Sequence, residues 1–164
     1  RDPDPVIFFE PKRVYRSIKE EVPEKEYVLE IGKANIVKHG KDVSLITYGA
    51  MVKTCFEVAL KLAGKIDVEV IDLRTLSPLD IDTVVESVKK TGKAVIVHEA
   101  PRTLGLGAEI VTLLNEKAFK YLKVPVERVT GFDVVMPLRK FEDYNMINHE
   151  RIIKVIGRIV TSGK

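Results

Sequence analysis

The stretch that decides the fold is Asp42-Val43-Ser44-Leu45-Ile46-Thr47-Tyr48-Gly49, followed by Ala50 to Gly64 and then by Asp67-Val68-Glu69-Val70-Ile71-Asp72. Val43 to Tyr48 is a β-branched and aromatic run without polar alternation, which reads as a strand covered on both faces. Val52, Cys55, Phe56, Ala59 and Leu62 then recur at helical spacing, with Lys53, Glu57 and Lys61 on the opposite side and Gly64 as a stop. The second apolar run closes one strand-helix-strand unit.

The same alternation continues outward. Ser77-Pro78-Leu79-Asp80 predicts a helix start with Ser77 as cap and Pro78 in the first turn, leading into Ile81, Val84, Val85 and Val88 before Gly92. Ala94 to His98 is a third strand, and a glycine-bearing turn precedes a helix carrying Ile110, Leu113, Leu114, Ala118 and Tyr121. A fourth strand fits Val126 to Thr130, and Ile152, Val155, Ile156 and Ile159 mark a terminal helix starting near Asn148. Four such units imply a three-layer α/β sandwich with a mostly parallel sheet. Ala34 to Lys41 reads as a short strand and turn that adds an antiparallel edge.

Upstream the pattern changes. Val6-Ile7-Phe8-Phe9 is a four-residue apolar run between Pro5 and Pro11 with nothing local to cover it. Residues 10–30 are proline-punctuated and rich in both charges, as a surface linker is. The expectation is that residues 1–30 are the remnant of a preceding domain plus a linker, that residues 31–164 form the folded domain, and that the chain is a piece of something longer.

Composition narrows the function. The 164 residues carry 27 Lys and Arg against 24 Asp and Glu, a net charge of +3 spread without a basic block, so nucleic-acid binding is not indicated. The single cysteine, Cys55, excludes an internal disulfide and a sulfur-based zinc site, and falls on the apolar face of the first helix. No apolar run approaches the roughly 20 residues of a membrane span, and the first thirty residues lack the order of a signal peptide. A cytoplasmic location follows as an expectation.

Ligands of a parallel sheet bind where strands end and helices begin. The loop after the first strand has one glycine and no lysine, so it is not a phosphate loop. Arg74, beside a helix start, either holds an anion or pairs with Asp72. The most informative loop is His98-Glu99-Ala100-Pro101-Arg102-Thr103-Leu104-Gly105-Leu106-Gly107-Ala108-Glu109. A histidine-pair zinc site fails because position 102 is arginine and Pro101 breaks a helix. Gly-x-Gly-x-x-Gly fails because position 110 is isoleucine. Two functional readings survive, a His98–Glu99 acid/base pair and an anion at glycine-bordered backbone amides. Against them stands the plain reading that Gly105 and Gly107 shape a tight crossover around a hydrogen-bonded His98. No Gly-x-Ser-x-Gly elbow is present.

Three long motifs now align with a known family. Gly40 to Val52, Val70 to Asp80, and Val97 to Thr103 with Gly105, Gly107, Ala108 and Glu109 resemble the carboxyl-terminal half of the beta subunit of the decarboxylating component of 2-oxoacid dehydrogenases. This half is the domain shared with transketolases. Asp4 to Pro11 and Arg128 to Asp133 are also similar. The resemblance implies a thiamine diphosphate- and magnesium-dependent α2β2 enzyme that decarboxylates a 2-oxoacid, pyruvate or branched-chain, and transfers the acyl group to a lipoyl arm. It implies that the catalytic, diphosphate and metal groups lie outside this half, so no catalytic, cofactor or metal residue carries over, and that this chain alone is inactive and binds no cofactor. What it does imply is assembly with an alpha subunit, a second beta subunit and the lipoyl acyltransferase core; a chain without those partners would leave an apolar surface uncovered, and self-association is then expected. His98, Glu99, Arg102, Gly105, Gly107 and Glu109, with the terminal helix, are the candidate contacts.

The chain departs from the family at three places. Relatives tend to read Thr-Gly-Gly-Phe-Gly, Asp-Thr-Pro-Phe-Pro and Tyr-Leu-Pro where it has Thr103-Leu104-Gly105-Leu106-Gly107, Asp133-Val134-Val135-Met136-Pro137 and Tyr144-Asn145-Met146. Alternative readings are the matching domain of a transketolase or deoxyxylulose phosphate synthase, or a stand-alone flavodoxin-like anion-binding module.

Overall fold

The computed structural model describes residues 3–162. Five strands form one sheet: β1 (Asn35–Lys38), β2 (Val43–Thr47), β3 (Val68–Asp72), β4 (Ala94–Pro101) and β5 (Glu127–Gly131), in the order β1-β3-β2-β4-β5. β3, β2, β4 and β5 run parallel, with Val43 beside Val68 and Leu45 beside Val95. β1 closes one edge antiparallel to β3, and a register break between Ile36 and Lys38 bends it.

Helices α1 (Met51–Leu62), α2 (Ile81–Thr91), α3 (Leu106–Ala118) and α5 (His149–Ser162) cover the sheet, and α4 (Glu142–Asn145) is a single turn. Alternate residues of the buried strands feed two cores. Val43, Leu45, Val95 and Val97 pack against Cys55, Val58, Ile152 and Ile156 of α1 and α5. Ile46, Ala94 and Ile96, from the other face, pack against Val84, Val88, Ile110 and Leu114 of α2 and α3. Two helices on each face of a five-strand sheet make the three layers, and double coverage leaves every residue of β2 buried.

Buried polar groups of β2, β3 and α2 are paired with one another. Ser44 bonds Ser87 and Thr91 at 2.6 and 2.7 Å. Ser87 donates to the fully buried Glu69 at 2.6 Å, whose carboxylate also binds Lys90 and the Gly40 amide. Burial pushes the Glu69 carboxyl up, but the Lys90, Ser87 and Gly40 donors outweigh it and hold it below the ordinary carboxylate range.

Two boundaries differ from expectation. α2 is capped by Asp80, whose side chain accepts from the Thr83 amide at 3.2 Å and hydroxyl at 2.7 Å, and not by Ser77. The Ser77–Pro78 bond is cis and Leu76 bridges Leu79, so the chain turns there and enters the helix at Ile81. α3 ends at Ala118, leaving Tyr121 in a following 3₁₀ turn outside the packed face. The terminal helix starts, as expected, near Asn148: its first residue is His149, and the Asn148 side chain before it accepts from the Arg151 amide at 3.0 Å.

Val6 to Phe9 are exposed and form no strand. The following segment docks through a 3₁₀ turn at Lys12–Val14, where Val14 packs on the α1/α5 core and Arg13 donates to the Met146 sulfur at 2.8 Å. It is tied again at Gly32, whose amide donates to Thr75 at 3.0 Å.

Candidate interaction site at the carboxyl ends of β4 and β5

β4 passes its last buried residue at His98 and then leaves the core. Both faces of β4 are covered as far as His98, which is fully buried, whereas Glu99 lies past that cover and is exposed. The two do not meet as an acid/base pair. His98 stacks on Tyr48 from the end of β2, ring centroids 6.1 Å apart. Its Nε2 accepts the Gly107 amide at 3.1 Å, which makes the imidazole the side-chain cap of α3. Gly105 is the N-cap residue and offers no side chain for that job.

The two glycines are explained by closeness. A Cβ at Gly107 would lie 2.3 Å from His98 Nε2, and one at Gly105 would lie 2.4 Å from the Pro101 carbonyl. Both φ angles need no glycine on conformational grounds; the imidazole and the backbone simply leave no room. With Nε2 accepting, the ring is neutral and carries its proton on Nδ1, which finds no partner in hydrogen-bonding geometry. Burial and then the nearby Arg128 charge push the His98 pKa below its ordinary value, and the backbone of Ala100 opposes this only weakly.

Beyond the histidine the loop is fastened to β5 and the segment after it. Arg102 donates to the Arg128 carbonyl at 3.4 Å and Arg128 to the Arg102 carbonyl at 2.9 Å. Thr103 gives its amide and hydroxyl to Asp133 at 2.8 and 2.7 Å, which holds that carboxyl below its usual range. Behind them Arg151 of α5 reaches the carbonyls of Thr130 at 2.6 Å and of Asn145 and Met146 at 3.3 Å, with its guanidinium 4.6 Å from the Phe132 ring centroid. Asn145 in turn accepts the Phe132 amide at 3.2 Å.

These bonds hold an apolar shelf open to water. Leu104 is 98% exposed, Val135 93% and Leu138 83%, with Phe141 and Tyr144 beyond them. Shelves of this kind mark interaction sites. Of the residues expected to form contacts, Glu99, Arg102 and Glu109 are exposed, Gly105 is half-buried, and His98 and Gly107 are buried supports behind the surface. The terminal helix spends Ile152, Ile156 and Ile159 on its own core. Sequence reasoning missed Arg151 and the 132–144 shelf; the signal available was the cluster Phe132, Val134, Val135, Met136 and Leu138 in a segment with no strand or helix period.

The remaining loops carry less. The Arg74 amide, not its guanidinium, bonds Asp72 at 3.0 Å, with Arg74 at φ 55°. Cys55 is fully buried and its thiol is pushed up to about 12. No helix among the described residues is long and apolar enough to cross a membrane.

A mostly parallel α/β sheet with one antiparallel edge and helices on both faces is the architecture of the transketolase carboxyl-terminal class. The chain belongs to that family, described as "Transketolase, C-terminal domain", whose sequence model matches residues 32–152. Among curated proteins it is similar to pyruvate dehydrogenase E1 component subunit beta of Acholeplasma laidlawii, 48% identical over 160 residues. The same subunit of Bacillus subtilis is 44% identical over 161 residues. These alignments take in 96% and 98% of this chain but 49% and 50% of the relatives, so the chain spans about half their length. Among solved structures, a split-gene transketolase described as an inactive β4 tetramer superposes with a TM-score of 0.73 at 27% identity, covering 88% of this chain and 47% of that one. A 2-oxoglutarate:ferredoxin oxidoreductase from Magnetococcus marinus shares the fold at a TM-score of 0.52 and 13% identity, over 78% of this chain and 19% of that one.

Thiamine diphosphate with magnesium does not fit the residues described. Among them no three His, Cys, Asp or Glu side chains gather to hold a metal ion. At the start of α3 the Gly107 amide is already bound to His98 and is not free for an anion.

Proposed function

We propose that this chain is the assembly domain of the beta subunit of a thiamine diphosphate-dependent 2-oxoacid dehydrogenase, of the pyruvate type named for its curated relatives. In this reading the complete enzyme decarboxylates the oxoacid and passes the acyl group to a lipoyl acyltransferase, with the cofactor and metal held by residues other than these. The domain's part is to hold an alpha subunit and a second beta subunit in place. The observation that carries the proposal is the shelf of Leu104, Val135 and Leu138, apolar and exposed yet fixed by the Thr103–Asp133 and Arg151 hydrogen bonds. A surface that stays apolar while being held rigid suits a permanent partner. The 48% identity to named beta subunits supports the choice of complex.

The test is to mix the chain with the alpha subunit from the same source and follow complex formation by light scattering coupled to size exclusion. A complex is expected, and Val135→Asp with Leu138→Asp should abolish it while far-ultraviolet circular dichroism stays unchanged. Titration calorimetry with thiamine diphosphate and magnesium should release no heat. Tight binding of that cofactor by this chain alone, or failure to bind the alpha subunit, would overturn the reading in favour of a self-contained anion-binding module.

A further inference from the structure

The chain has three methionines, and the fold treats each sulfur differently. Met51 opens α1 inside the core at 2% exposure. Met146 is half-buried, and its sulfur receives an N–H of the Arg13 guanidinium at 2.8 Å. Met136 is 50% exposed, and its sulfur receives an N–H of the Asn145 side-chain amide at 2.9 Å. A thioether is a weak acceptor, so this bond does not shield the Met136 sulfur from reaction.

The contact is also a fastening. Asn145 gives its amide N–H to the Met136 sulfur and accepts the Phe132 amide on its side-chain oxygen at 3.2 Å, so one side chain closes the loop from 132 to 136. Arg151 donates to the Asn145 backbone carbonyl at 3.3 Å and lies 4.6 Å from the Phe132 ring centroid, which ties this loop to α5. Val135, 93% exposed, stands on the loop beside Met136. A change at the Met136 sulfur therefore reaches the backbone that presents the apolar shelf.

We propose that Met136 is a reversible oxidation site whose sulfoxide unfastens the shelf. A sulfur lone pair attacks one oxygen of hydrogen peroxide, and the S–O bond forms as the O–O bond breaks. The departing hydroxide takes the proton left on the transferred oxygen and becomes water, so sulfur is oxidised by two electrons and the peroxide is reduced. The product replaces an apolar group on the shelf with a polar, chiral one, and its oxygen competes with the sulfur for the Asn145 N–H. The fold sets the order of reaction. Met51 is closed to solvent, the Arg13 charge draws electron density from the Met146 sulfur, and Met136 is the most open and meets only a neutral amide. The loss of partner binding rests on the assembly reading above; the oxidation and the loosening of the loop do not.

The experiment treats the 164-residue chain with dilute hydrogen peroxide and maps sulfoxides by peptide mass spectrometry over time. Met136 should react several-fold faster than Met146, with Met51 unmodified. Hydrogen exchange at the Phe132 amide should quicken in step, and binding of the alpha subunit should weaken by about tenfold or more. The two methionine sulfoxide reductases, one for each epimer, should together restore both. Met136→Leu, close in volume, should give the same exchange and the same binding before and after peroxide, whereas Met146→Leu should still lose both. Faster reaction at Met146 or Met51, exchange at Phe132 that ignores Met136 oxidation, unchanged alpha-subunit binding by the oxidised chain, or a Met136→Leu variant that responds to peroxide as the parent does would each overturn the inference. An untreated chain that does not bind the alpha subunit ends the assembly reading, and the peptide map with the Phe132 exchange then decides this one.

Discussion

The imidazole of His98 does for α3 what a serine or aspartate does for most helices: it accepts a first-turn amide. The arrangement works only while the ring is neutral, since a protonated Nε2 would point a hydrogen at the Gly107 N–H. The sign of the resulting pH dependence follows from the shift. The folded ring has a pKa below its ordinary 6.5, so on acidification the unfolded chain takes up the proton first and stability falls as pH drops below about 6.5. Urea unfolding between pH 7.5 and 5 should show this decline, at most about 1.4 kcal/mol per pH unit from this one group, and His98→Gln should remove its share. Gly107→Ala tests the same contact by volume. The new Cβ would lie 2.3 Å from Nε2 and 2.7 Å from Cδ2 of a ring that is fully buried and stacked on Tyr48. A loss of about 1–3 kcal/mol in unfolding free energy is expected.

At the level of elements, strand and helix periods carried the reading of β2, β3, β4 and α1 because those segments are apolar in a way that only double coverage or one buried stripe explains. The start of α2 escaped because Ser77-Pro78 and Asp80 both satisfy the local capping rules, and only tertiary structure chooses between them. Asp80 wins because a second donor, the Ala34 amide at 3.0 Å, also needs its carboxylate. Burial alone would push the Asp80 carboxyl up, yet the Ala34 and Thr83 donors hold it below the ordinary range. Asp80→Ala removes a cap and leaves the Ala34 amide without that acceptor, so a loss of about 2 kcal/mol is expected by urea denaturation. Ser77→Ala should change stability by less than about 0.5 kcal/mol.

For the whole molecule, the sandwich was legible and the interaction surface was only half so. The loop from His98 to Glu109 announced itself by its histidine, its glycines and its place at a strand end, but sequence alone does not separate a support from a contact. His98 and Gly107 face inward, while Leu104 and Arg102 face out. The 132–144 shelf was hidden because irregular backbone has no period to read, and because the bonds that fix it come from Arg151, far along the chain in a helix already explained by its apolar stripe. Core and surface should separate cleanly in experiment. Ile156→Ala, at a fully buried side chain of α5 in the α1/α5 core, should cost about 2–5 kcal/mol in unfolding free energy while leaving alpha-subunit binding per folded molecule unaltered.

The bend in β1 bears on how such molecules gather. That strand is four residues long, breaks register between Ile36 and Lys38, and turns the Lys38 ammonium onto the Asp67 carboxylate and the carbonyls of His39 and Val68. A short, kinked, lysine-bearing margin is a poor template for another strand. Concentrated solutions should therefore not grow by adding ribbon to ribbon at this margin, and fibre-sensitive dye fluorescence should stay flat as concentration rises.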